Sequence, residues 1–307
     1  MQVIAEIGSN WHNLNDCLDS MSKAVACGAD VVKFQYYNHD ALYGYPGAVD
    51  GCLPFEYVPA LSVKAKAVGI PLMMSVFNPA DIDELAPYVD LWKVASCEFT
   101  YMDLYARMKA TGRPIYASCG AHNDLEIEMV MNGPHRPDVL LYCVVSYPSH
   151  HHDVRHVGRL AARYPYHTVG YSDHSLDVFA APLAAKHYGA TVIEKHFKLD
   201  HIVDTPDAGH SLGTNDFQLM CKALKGAPPM GLTAFEQDSL KCHKRRLLAS
   251  RDIGLGEGLI YGENFGYFRS KRDDLLGGAF WDHKHVTGKG ARKAYRCGDP
   301  INPRDYQ

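Results

Sequence analysis

The chain has no run approaching the roughly 18 consecutive apolar residues that a membrane-spanning helix needs, so none is expected. Its opening, MQVIAEIGSNWHN, lacks a basic segment followed by a long apolar one, which argues against a secretory signal. No two of the nine cysteines form a CxxC pair, and their number is odd. That excludes a disulfide frame or a zinc ribbon as the first reading and fits reduced thiols in a cytoplasmic protein. Charge is sparse as well, at 21% of residues against 47% apolar, which excludes wholesale disorder. The first apolar run ends in EIGSNWHN with a single glycine. A dinucleotide-binding sheet would carry a glycine-rich turn there.

What is present is a large apolar core spread over 307 residues, enough for one large domain and a small one. The net charge of -4 conceals a split. Residues 243–307 hold 13 Lys and Arg against 8 Asp and Glu, a balance of +5, while residues 1–242 stand at -9. Short runs rich in Val, Ile and Tyr at 3–8, 30–36, 71–77, 91–96, 114–119, 139–145, 167–172 and 192–197 read as strands. Helical patterns lie between most of them, clearest at 15–27 and 177–188. Strands alternating with helices predict parallel βαβ units, and eight in about 200 residues predict a (β/α)8 barrel. After GAPPMG the chain changes to a helical pattern over 236–246 and then short pieces broken by Gly and Pro. The expected division is a barrel over 1–230 and a linker helix with a small β domain over 231–307.

Barrel strands should be apolar except at their C-terminal ends, where this fold builds its active face. Here those ends carry Glu6, Lys33, Gln35, Ser75, Lys93, Ser96, Glu98 and Ser118. Tyr147, Ser172, Asp173, His174, Glu194, Lys195 and His196 continue the series. Any one of them reads equally well as a satisfied core polar group; the whole set converging by accident does not. Two lysines with three serines suit a phosphate or carboxylate. His174 and His196 end adjacent strands and suit one divalent cation. Glu6 and Asp207 are carboxylates available as bases or further ligands.

IAEIGSNWHN, GADVVKFQ, LWKVASCE, PIYASCG, YCVVSYP, VGYSDHSLD and GATVIEKHF resemble the successive motifs of the N-acetylneuraminate (sialic acid) synthase family. The C-terminal KRRLLASRDIGLGEGLIYGENF resembles the antifreeze-like domain appended to those barrels. The resemblance implies condensation of phosphoenolpyruvate with the open-chain aldehyde of a sugar, giving a nine-carbon 2-keto acid and phosphate. It implies a divalent metal, usually Mn2+ with Mg2+ or Co2+ as alternatives, held by His174 and His196. Lys33, Lys93, Ser96, Ser118 and Ser172 match phosphoenolpyruvate-binding positions, and Ser75 stands where Thr is frequent. Gln35, Glu98 and Tyr147 fall around the sugar. Glu6, Lys93 and Asp207 fall at the reacting centre, with Glu6 or Asp207 as proton acceptor for the attacking water. The resemblance also implies a homodimer in which the antifreeze-like domain covers the partner's sugar site through an Arg, for which Arg269 is the nearest match and Arg272 the alternative.

Val76, Val145, Ala48 and DTPDAGHSL depart from the family's usual residues, the last replacing a Gly-Pro-Asp-His run. They leave the acceptor open among N-acetylmannosamine and the acceptors of legionaminate, pseudaminate and spore-coat synthases. His150, His151, His152 and His156 read as a solvated loop bordering the active face. Two other classes stay in view. One is a Schiff-base aldolase using Lys33, Lys93 or Lys195, which the paired histidines disfavour. The other is a non-catalytic sugar-binding barrel. The basic residues of 243–307 are interleaved with acids and lack a stacking pattern, so nucleic acid is not an expected partner, nor is a membrane.

Overall fold

The computed structural model describes residues 1–45, 47, 51–150, 153–226, 245–269 and 283–302. The chain divides into two compact units, 1–227 and 228–307. In the first, β1 (Gln2–Glu6), β2 (Val31–Tyr36), β3 (Leu72–Val76) and β4 (Leu91–Val94) pair in sequence order. β5 (Ile115–Ser118), β6 (Val139–Cys143), β7 (Thr168–Asp173) and β8 (Val192–His196) continue the order. All pairings are parallel, and β8 returns to β1 with Glu6 opposite His196, closing a (β/α)8 barrel. The eight expected strands are those observed, displaced by no more than two residues at either end.

The connecting helices are α1 (Leu14–Cys27), α2 (His39–Tyr43), α3 (Val58–Val68), α4 (Ile82–Leu85) and α5 (Met102–Ala110). α6 (Asp124–Met131), α7 (Arg155–Arg163), α8 (Ala180–Tyr188) and α9 (Thr214–Lys225) complete the set. Local chemistry fixes their ends. The Asn13 side chain accepts from the backbone N–H groups of Asn15 and Asp16 to start α1, and Gly28, at φ 102°, stops it. Asn123 and Glu126 close a reciprocal capping box at α6.

Each strand alternates. Val3, Ala5, Phe34, Met74, Trp92, Ala117, Tyr171 and Ile193 pack in the layer between sheet and helices. Ile4, Val31, Met73, Tyr116, Leu141 and Val192 form a separate cluster that fills the lower barrel. Burying each large side chain of this kind stabilises the fold by about 1.5–3 kcal/mol. Gly170 belongs to the crowded inner layer: a Cβ there would lie 2.3 Å from the Val192 carbonyl oxygen. Two residues above this apolar plug, the same period places Glu6, Lys33, Ser75, Lys93, Ser118, Cys143, Ser172 and Glu194 inside the barrel mouth. The polar layer is therefore a direct consequence of strand alternation.

In the second unit, β9 (Arg246–Ala249) pairs antiparallel with β10 (Phe265–Phe268) over a core that includes Leu247, Ile253, Leu259, Phe265, Val286 and Tyr295. The helix expected over 236–246 falls outside the described residues up to 244. At its end it needs correction, because Arg246 begins a buried strand whose partner is Phe268.

Candidate active site

A cavity of about 430 Å³ opens at the C-terminal end of the barrel. Lys33 on β2 and Lys93 on β4 point into it, 5% and 2% exposed. Lys33 Nζ lies 3.2 Å from Glu6 Oε2 and 3.1 Å from Glu194 Oε1, and 3.3 Å from Ser75 Oγ. Lys93 Nζ donates to Ser118 Oγ at 2.8 Å and to the Val94 carbonyl at 2.9 Å. Ser172 Oγ donates to Glu194 Oε1 at 3.0 Å. Burial works against the charge on Lys33, but Glu194 and Glu6 overcome it and hold its pKa above the usual lysine value. Burial pulls that of Lys93 down.

The two glutamates beside Lys33 separate in proton affinity. Burial pushes Glu6 up to about 8, with Lys33 opposing and Glu194 and Asp207 adding to the rise. Burial also opposes ionisation of Glu194, but Lys33, Lys93 and the Ser172 hydrogen bond outweigh it and bring it to about 2. Burial and the neighbouring carboxylates thus favour the protonated form of Glu6, while the two lysines favour the ionised form of Glu194.

Beside this layer stand three imidazoles. The rings of His174 and His196 lie 5.5 Å apart, and that of His210 lies 4.5 Å from His196. Tyr147 stacks on His174 at 4.3 Å and meets His210 edge-on at 5.0 Å. His174 Nδ1 lies 3.0 Å from the Val144 carbonyl; with the proton assigned there, Nε2 presents its lone pair on the side of the Cys143 thiol, 3.8 Å away. Burial lowers His174 to about 4 and His196 well below the ordinary value, so both rings are neutral. Asp207 lies 3.8 Å from His196 Nδ1 and 3.5 Å from His210 Nε2, too far for good hydrogen bonds. Both of those nitrogens are buried without a hydrogen-bond partner. Buried imidazole nitrogens without a hydrogen bond, beside a carboxylate, are the donor chemistry of a divalent cation, so the site fits the metal that the sequence implied.

The loop carrying Asp207 is sewn to the end of β1. Asp207 Oδ2 accepts from the Ser9 backbone N–H at 2.9 Å and from Gln35 Nε2 at 3.4 Å. Asp207 N donates back to Ser9 Oγ at 3.1 Å. Gly8 is required there: at φ +54°, a Cβ would sit 2.1 Å from Asp207 Oδ2. Burial opposes ionisation of Asp207, yet His210, His196 and the Ser9 N–H together hold its pKa below the usual carboxylate range.

Of the residues singled out in the sequence, Glu6, Lys33, Gln35, Ser75, Lys93 and Ser96 line this cavity. So do Ser118, Tyr147, Ser172, His174, His196 and Asp207. Glu98 does not line it. It lies on the turn Ser96–Glu98, where burial, opposed by Lys93, raises it to about 7. Arg269 is exposed in the second unit, and Arg272, Ala48, His151 and His152 lie outside the described residues. Lys195, between Glu194 and His196 in sequence, points the other way. It is fully buried against Asp173 at 2.6 Å and absent from the cavity wall, so it is not positioned for a Schiff base. His210 and Cys143 line the cavity and had not been singled out. The spacing of His210, three residues after Asp207 and just beyond the last strand, was the available signal.

A second cavity, about 820 Å³, lies between α6 and α7 and shares the Cys143 wall. It is larger, but its ions answer one another: Arg163 pairs with Glu128 at 2.7 Å and with Asp124 at 3.3 Å. The convergent, unsatisfied chemistry belongs to the first cavity.

The chain is similar to known proteins over most of its length. A protein of Methanocaldococcus jannaschii named only as uncharacterized is 30% identical over 280 residues, covering 83% of this chain and 81% of its own. The pseudaminic acid synthase of Campylobacter jejuni is 28% identical over 337 residues, covering 99% and 96%. Among solved structures, the N-acetylneuraminic acid (sialic acid) synthetase of Leptospira borgpetersenii, crystallised with citrate, superposes with a TM-score of 0.68. It is 24% identical, covering 78% of this chain and 90% of that one, and so supports the fold. The sequence profile of the NeuB family matches residues 49–230, more than half of the chain, which therefore belongs to the NeuB family.

Proposed function

We propose that this protein joins phosphoenolpyruvate to the open-chain aldehyde of an N-acylated hexosamine, forming a sialic-acid-like nonulosonic 2-keto acid and inorganic phosphate. The observation that carries this reading is one cavity holding a Lys33/Lys93/serine cradle next to neutral imidazoles and split carboxylates. Lys33 and Lys93, with Ser75, Ser96, Ser118 and Ser172, bind the phosphate and carboxylate of phosphoenolpyruvate. Gln35 and Tyr147 are assigned to the sugar side. His174 and His196 hold a divalent cation, taken as Mn2+, which supplies Lewis acidity at the aldehyde oxygen when bound.

The chain's own groups then move the protons. The C=C electron pair of phosphoenolpyruvate forms the new C–C bond to the aldehyde carbon, and the former carbonyl oxygen takes the Glu6 proton. Water adds to the electron-deficient enol-ether carbon as ionised Asp207 accepts its proton. The C–O bond to phosphate breaks with its electron pair on the leaving oxygen, and loss of the remaining hydroxyl proton leaves the ketone. Lys33 and Lys93 stabilise the anionic groups throughout.

The second unit is assigned as an antifreeze-like lid of a domain-swapped homodimer, with Arg269 reaching a partner subunit's sugar. Dimer dissociation at high salt, with loss of activity, is the expected behaviour.

Phosphate release from phosphoenolpyruvate, measured with Mn2+ and a panel of hexosamine aldehydes led by N-acetylmannosamine, tests the function. Release that depends on one of these aldehydes is expected. No release across the panel overturns it and favours a sugar-binding barrel.

A further inference from the structure

We propose that His210 is itself a ligand of the cation, joining His174 and His196 beside the Asp207 carboxylate. This rests on the reading above only in placing the cation in the same cavity. The sequence already marks the position as unusual. Where the family resemblance calls for His directly after Asp, this chain has Ala208, and a histidine stands two residues further on. The short turn Ala208–His210 brings that ring back to the Asp207 carboxylate.

The geometry points to a shared ion over a packing role. One ring nitrogen each of His196 and His210 and an Asp207 oxygen all lie within 4.8 Å of one another. Donor atoms about 2.0–2.2 Å from one metal stand roughly 3–4 Å apart, so a small inward adjustment suffices. The two nitrogens face one carboxylate at 3.8 and 3.5 Å, and neither finds a hydrogen-bond partner there or elsewhere. A histidine kept for packing would have closed one of those gaps into a hydrogen bond.

The loop is also held from outside, so the ring position does not depend on its own contacts. Ser211 Oγ donates to the Asp207 carbonyl at 2.7 Å, Lys198 Nζ to the Ala208 carbonyl at 2.8 Å, and Asn10 Nδ2 to Ser211 Oγ at 2.8 Å. Such a frame presents ligands in advance of the ion. The cation therefore binds before either substrate arrives.

Titration of Mn2+ into the metal-stripped full-length protein, read by electron paramagnetic resonance without substrates, tests the assignment. His210→Phe preserves ring volume and His210→Gln preserves polarity. Each is expected to weaken Mn2+ binding by about tenfold or more and to remove one imidazole from the nitrogen couplings. Unchanged affinity and couplings in both variants overturn the assignment, even if their KM for the aldehyde changes. Mn2+ binding that depends on His210 in a protein releasing no phosphate supports it and overturns the condensation reading instead.

Discussion

Two buried lysine–carboxylate groups sit back to back on the barrel wall, and they differ in how completely they are satisfied. Outside the lumen, Lys195 Nζ reaches Asp173 Oδ2 at 2.6 Å, Ser175 Oγ at 3.2 Å and the Asp177 carbonyl at 3.3 Å. The second Asp173 oxygen accepts from the Ser175 N–H and the Tyr171 hydroxyl. Every position is filled. Inside, Lys33 is shared between Glu6 and Glu194 while Lys93 donates to Ser118 and the Val94 carbonyl, and Oε2 of each glutamate has no hydrogen bond. Glu6 Oε2 is near Lys33 but off the hydrogen-bond direction. Buried charge that is fully satisfied is structure; buried charge with capacity to spare is arranged for a ligand. The outer group pins the loop that carries His174, so the two roles adjoin.

The comparison can be broken in four places. Lys195→Met leaves Asp173 buried and unpaired, and urea unfolding should show a loss of about 3–5 kcal/mol. Lys93→Met should leave the unfolding midpoint nearly unchanged and lower phosphate release by about 10²–10³-fold, because it removes a cation from the proposed substrate site. Glu6→Gln replaces a crowded carboxyl by a neutral amide. Thermal unfolding should show equal or higher stability, by about 1 kcal/mol, together with loss of turnover. Activity and stability falling together in that variant would contradict the functional assignment of the lumen.

The smallest effect is at Glu98. Its folded pKa, about 7, lies above the usual 4.5, so the folded chain holds the proton longer than the unfolded one. Its contribution is fully present below pH 4.5 and is lost as pH rises through about 7. Urea midpoints at pH 5 and pH 8 should therefore differ more in the wild type than in Glu98→Gln. Equal differences would place its environment elsewhere.

Much of this was legible from residue order alone. Fully buried parallel strands read as apolar runs, and their polar last residues announced the cavity. Period-two alternation separates Lys195 from Glu194 and His196, although the three are consecutive in the chain. Listing them together as one polar strand end hides that they serve different layers. His210 escaped because it belongs to a loop, where no periodicity assigns a direction. Only the folded backbone, held by Ser9, Asn10 and Lys198, brings it to His196. The turn that follows β4 directly suggests Glu98 at the cavity, yet of that turn only Ser96 lines it. The helix expected over 236–246 overlaps the strand only at Arg246, where pairing with Phe268 of β10 decides for strand.

The division between the two lysine groups is tested most directly by calorimetric titration of phosphoenolpyruvate, with Mn2+ present, into the wild type and a folded Lys93→Met variant. Binding to the wild type and an affinity at least about tenfold weaker in the variant are predicted. Equal affinities in the two would contradict the assignment of the lumen lysines to an anionic substrate.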